Sequence, residues 1–109
     1  MLYGRGLSFY IKYTVMSQKI TNITIQVPYK SSGGVVHQHD VAFDVYSVDG
    51  HYTLRPCLDT LERTRANLPE ELNFEIRNGK PVSLRGPMDG NFHVIQDAVA
   101  ILKEQKQLA

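Results

Sequence analysis

Alternation with a period of two dominates the first half of the chain. Phe9, Ile11, Tyr13 and Val15 alternate with Ser8, Tyr10, Lys12 and Thr14, and Ile23, Ile25 and Val27 alternate with Asn22, Thr24 and Gln26. Successive strand side chains point to opposite faces, so each run predicts a strand with one buried face. The segment PYKSSGG predicts a flexible loop over residues 28–34. Val35–Val48 and His51–Arg55 flank Asp49-Gly50, which predicts a two-residue hairpin turn because both turn positions take positive φ. Opposed residues then have numbers summing to 99. Val41, Phe43 and Val45 share a face with Tyr52 and Leu54, and Asp44 faces Arg55 as a cross-strand ion pair.

Asn78-Gly79 marks a second turn. A two-residue loop there places Val82 and Leu84 on the face opposite Leu72, Phe74 and Ile76. A three-residue loop, Arg77-Asn78-Gly79, places them together, with Gly79 left-handed in a G1 bulge. Burying a large apolar side chain is worth about 1.5–3 kcal/mol. The bulged hairpin is therefore expected, with Pro81 on an outer, edge side.

Helical spacing takes over elsewhere. Leu58–Asn67 predicts a short helix closed by Pro69, with Leu58, Leu61 and Leu68 turned to the core and Glu62, Arg63 and Arg65 to water. Phe92, Ile95, Val99 and Leu102 follow a 3, 4, 3 spacing widened by Ala98 and Ile101. Asp89 or Asn91 can cap this helix, and Lys103 and Lys106 suit its negative C-terminal end. The order β-β-β-β-α-β-β-α defines a single α+β domain over residues 1–109. It has one antiparallel or mixed sheet packed by a C-terminal amphipathic helix. Met16-Ser17-Gln18-Lys19 also reads as a translation start, which would make residues 1–15 a dispensable extension.

At 109 residues the chain is long enough to bury a core without disulfides or metals. Its 42% hydrophobic and 21% charged residues are ordinary globular values, and a net charge of +1 gives no global attraction to nucleic acid or anionic lipid. The single cysteine, Cys57, forms no internal disulfide and fits a reducing, cytoplasmic setting. It follows Pro56 at the start of the short helix, where it reads as a small buried residue rather than a nucleophile. No apolar run approaches the ~18 residues that span a bilayer, so no membrane partner is expected.

Charge is unevenly placed even so. Residues 1–39 contain no acid and carry +4, from Arg5, Lys12, Lys19 and Lys30, while the remainder carries −3. Four of the six tyrosines, Tyr3, Tyr10, Tyr13 and Tyr29, share that stretch. Alternation turns Tyr13 inward and leaves Tyr10, Lys12, Lys19, Tyr29 and Lys30 as a candidate site for nucleic acid or an anionic ligand. The open faces beside it carry Asn22, Thr24, Gln26, Asp40, Asp44, Tyr46, His51, Thr53 and Arg55, a surface of mixed sign that gives no continuous basic track.

His37 and His39, two residues apart on a strand, point to one face and are candidate ligands for one metal ion. A third ligand is not evident, since Asp40 and His51 alternate to the other face and His93 flanks the terminal helix. Gly33-Gly34 and Gly79-Lys80 lack phosphate-loop spacing, and no cofactor is expected. Arg85–Asn91 is a glycine-rich lead into a helix N-terminus, a geometry that favours anions, but Asp89 opposes that role. The histidines, cysteine and carboxylates do not converge. The leading expectation is therefore a small non-catalytic, intracellular protein-binding or assembly module that pairs with a partner, or with itself, through a sheet edge. A weak nucleic-acid or anionic-ligand binder is the second reading, and a metal-dependent enzyme centred on His37 and His39 the third.

Overall fold

Among the described residues five strands pair in sequence order as an antiparallel meander, with one helix inserted between the third and fourth strands and one after the fifth. A computed structural model describes residues 18–84 and 91–108. The elements are β1 (Gln18–Lys30), β2 (Val36–Val48), β3 (His51–Pro56), α1 (Thr60–Ala66), β4 (Leu72–Arg77), β5 (Lys80–Ser83) and α2 (Phe92–Glu104). The expected strand over Ser8–Val15, the Asp89 cap and the loop over 85–90 lie outside the described residues.

The Asp49-Gly50 turn forms as its chemistry dictates, with φ of 48° and 82°. Val48 faces His51 and Asp44 faces Arg55, so the register of β2 on β3 is the expected one. One sheet face then carries Ile23, Ile25, Val27, Val41, Phe43, Val45, Tyr52, Leu54, Leu72 and Phe74, all buried. Against it α2 buries Val94, Ile95, Ala98, Val99 and Leu102, with Phe92 and Ile101 half-buried at the margins. Because α2 touches both β1 and β5, the sheet curls around it. The helix ends in a Schellman turn, with Gln107 N–H on the Leu102 carbonyl at 2.9 Å and Lys106 left-handed.

Three expectations change. The connection expected over 28–34 narrows, because β1 runs through Lys30 and the turn occupies the residues between Ser31 and Val35. The second hairpin uses the two-residue Asn78-Gly79 turn, with φ of 53° and 76°, and pairs Arg77 with Lys80 and Phe74 with Ser83. Turn chemistry outweighs burial here. Val82 lies opposite Glu75 on the open face, and Leu84 is 47% exposed. Pro81 does sit on an edge strand, where its missing N–H interrupts no ladder.

The third change concerns α1, where Leu61 is 61% exposed rather than turned to the core. Asp59 and Glu62 form a reciprocal capping box that starts this helix at Thr60. Asn67, left-handed, closes it in a second Schellman turn that delivers Leu68 to the core. Within the helix only Ala66 is buried.

Phe43 is fully buried, so a smaller residue there leaves a cavity in the core. Phe43→Ala is expected to cost about 3–5 kcal/mol, read as a lower urea midpoint with an unchanged slope.

Candidate functional site

β2 outruns its neighbour. Its last residue paired with β3 is Phe43, against Pro56, and the final ladder bond runs from Cys57 N–H to the Ala42 carbonyl at 2.9 Å. Below that point, among the described residues, Val36–Val41 pairs only with β1, from Lys30 opposite Val36 to Ile25 opposite Val41. The result is a two-stranded ribbon projecting beyond the sheet, and each residue from Val36 to Asp40 is exposed. A tight turn closes the tip, with Ser31 N–H on the Val35 carbonyl at 2.9 Å and Gly34 at φ 84°.

Main-chain polarity along this ribbon follows from the ladder. Alternate residues of an antiparallel strand direct both N–H and C=O to the same side. Since Ala42 faces β3, Val36, Gln38 and Asp40 direct theirs to the same, outer side, where no strand pairs among the described residues. His37 and His39 direct theirs to β1. The same parity explains Pro28, which opposes Gln38 at a position that exchanges no ladder bonds.

The ribbon gathers three of the candidate side chains. Tyr29, His37 and His39 share the face that carries Val27 and Val41 nearer the core. Tyr29 is half-buried against the core and stacks on His39, with ring centroids 4.4 Å apart and planes 20° from parallel. His37 and His39 lie 5.6 Å apart, and Tyr29 and His37 6.3 Å. The two candidate ligands thus come together. His51 sits on the other face, 2.8 Å from Glu75, and His93 is exposed on α2. Among the described residues no group of three His, Cys, Asp or Glu converges.

The basic candidates do not gather. Lys19 and Lys30 lie at opposite ends of β1, about 36 Å apart at the rise of an extended strand. Tyr10 and Lys12 lie outside the described residues. Lys19 contacts Asp44 at 3.0 Å, and Asn22 Nδ2 donates to the same carboxylate at 2.8 Å. The expected Asp44–Arg55 pair is therefore replaced, although the two residues do oppose each other. A β-bulge between Lys19 and Thr21 sets Lys19 opposite Tyr46, on the open face beside Asp44. Arg55 turns to Glu71 at 3.7 Å and lies 5.9 Å over the Tyr46 ring. Hydrogen bonds from Asn22 and Lys19 hold the Asp44 carboxyl below its ordinary value, and Asp44 in turn raises the Lys19 ammonium.

Cys57, expected to be buried at a helix start, is exposed and lies two residues before the Asp59 cap, its sulfur 3.8 Å from Asn22 Nδ2. A second feature was not legible in the sequence. A groove of about 380 Å³ between the ribbon, α1 and the start of α2 is lined by Lys30, Arg65 and His93 with Pro28, Thr64 and Asn91. Arg65 Nη1 donates to the Lys30 carbonyl at 3.4 Å. Lys30, Arg65 and His93 come from three separate elements, so only the tertiary fold brings them together. Asn91 begins α2 without a side-chain capping bond, a role the sequence left open between it and Asp89.

No described helix is long and apolar enough to cross a membrane. No protein-family model matches the chain, and no curated protein or solved structure is significantly similar to it.

The depressed Asp44 carboxyl links stability to pH. Its contribution is fully present above the ordinary value of 3.8 and is lost as pH falls from there through the lower folded value. In urea melts, Asp44→Asn is expected to be destabilising at pH 7, with the gap to wild type closing progressively below about pH 3.8.

Proposed function

We propose that the chain is a small, non-catalytic, cytoplasmic binding or assembly module that accepts a partner strand along the open edge of β2. The observation that carries this reading is the run Val36–Asp40. It is exposed, already extended, and presents the main-chain groups of Val36, Gln38 and Asp40 outward at strand spacing. Such an edge templates a further strand: main-chain bonds supply affinity and alternate side chains supply selectivity. Val35 and Val36, 64% and 60% exposed at the tip, add apolar area beside it.

The open face offers less to a partner, because several of its charges are paired with one another. Lys19 meets Asp44, Arg55 meets Glu71, and Glu75 meets both His51 and Arg77. The test uses Gln38→Pro, which removes an outward N–H without touching a bond to β1. Light scattering of the wild type, alone and with cell extract, is expected to show a larger species that Gln38→Pro loses while keeping its far-UV spectrum. A wild type that stays strictly monomeric and captures nothing refutes the reading.

The groove favours a second reading, an anionic-ligand or nucleic-acid binder. Its described lining includes Lys30, Arg65 and His93 and no acid, and it adjoins the positive end of α2. Salt-sensitive binding to a mixed single-stranded oligonucleotide, weakened by Arg65→Glu, is the expected result in fluorescence anisotropy. No binding at low salt refutes it.

A further inference from the structure

The ribbon's parity constrains what a second copy of this chain would meet on β2. Symmetric dimers place the same patch of both copies across a two-fold axis. Antiparallel pairing of two β2 edges must bring outward main-chain groups against outward ones, which allows an axis at any residue from Val36 to Asp40. Of these, only an axis at Gln38 sets both histidines of each copy opposite histidines of the other. An axis through Gln38 pairs Gln38 with itself and Val36 with the second copy's Asp40. Each is a pair that exchanges ladder bonds, and no like charges are opposed. It also sets His37 opposite the second copy's His39, and His39 opposite its His37. Those two pairs fall at positions without ladder bonds, where facing α-carbons approach to about 4.5 Å and side chains are closest.

All four imidazoles then rise from one face. Their α-carbons stand at the corners of a rectangle about 4.5 Å across the strands and 6.7 Å along them. This is the ligand number a closed zinc site requires, and one copy supplies half of it. Within one copy the two rings are already 5.6 Å apart. Two imidazoles on a tetrahedral zinc, with Zn–N about 2.0–2.1 Å, hold their ring centres about 5 Å apart. Tyr29, stacked on His39 and packed against the core, restrains that ring before any metal arrives.

We propose that His37 and His39 are half of a four-histidine zinc site, completed by the same pair from a second copy whose β2 edge adds antiparallel about Gln38. This rests on the strand-addition reading and names the partner as a second copy of this chain. The experiment titrates zinc into metal-free full-length chain at pH 7.5, following mass by sedimentation equilibrium and bound zinc by elemental analysis. The expected result is a shift from monomer toward dimer with one zinc per two chains, reversed by chelator. His37→Ala and His39→Ala should each lose both the zinc and the shift, and Gln38→Pro and Val36→Pro should each lose the zinc-driven dimer. Absence of bound zinc, or one zinc per chain at unchanged mass, overturns the proposal. A zinc dimer that survives both proline substitutions overturns the paired register. A chain that associates in chelator yet binds no zinc refutes the metal site and leaves strand addition standing; one that does neither refutes the metal site and self-pairing, and the cell-extract measurement alone then decides strand addition to another partner.

Discussion

The register of β2 decides what every other part of this molecule can do. It is set at one end by Asp49-Gly50, whose two positive φ angles fit the twist of a hairpin and leave no second choice of pairing. A slip by one residue would carry Val41, Phe43 and Val45 to solvent and bring Ala42, Asp44 and Tyr46 against α2. The same parity continues down the strand beyond the core. It puts His37 and His39 on the apolar side of the ribbon and turns the main chain of Gln38 outward. Core, charged face and open edge are three consequences of one turn.

That economy has a physical cost at the ribbon. A two-stranded hairpin alone is marginal in water, and among the described residues the stretch below Ala42 has two strands. Its order is borrowed from its base, where Val27 and Val41 are buried and Tyr29 is half-buried, and from Arg65, which reaches the Lys30 carbonyl. Towards the tip these supports give out, and the local opening free energy falls with them. A third strand along β2 would supply the missing ladder. The segment least stabilised by its own chain therefore gains most from a partner.

Much of the architecture was legible because local chemistry and periodicity agree. Ile23, Ile25 and Val27, the Asp49-Gly50 turn and the Phe92–Leu102 stripe each point one way, and the fold follows them. The second hairpin was misread where two rules conflict. The apolar pattern of Val82 and Leu84 asks for one register and the backbone of Asn78-Gly79 for another. On a four-residue edge strand there is too little covering surface for burial to prevail. The ribbon was missed because Pro28 and Ser31–Gly34 look like one loop. Only the ladder parity shows that a proline can stand inside β1 without a lost bond. The Asp44 partner was missed because a bulge, invisible in composition, moved Lys19 into reach.

The acid-free N-terminal stretch illustrates why linear charge is a poor guide to a site. A strand lengthens by about 3.3 Å per residue, so cations close in sequence on β1 become distant in space. Lys19 ends beside Asp44 on the open face, while Lys30 ends beside Arg65 at the groove. Each acquires neighbours from elements far along the chain, and those neighbours decide its role. Asp44 neutralises the first; Arg65 sets a second cation beside the other. Of the two described cations of that stretch, the fold thus pairs Lys19 with an acid and leaves Lys30 beside another cation. Of these two, Lys30 is the one that presents a field to which an anion can respond.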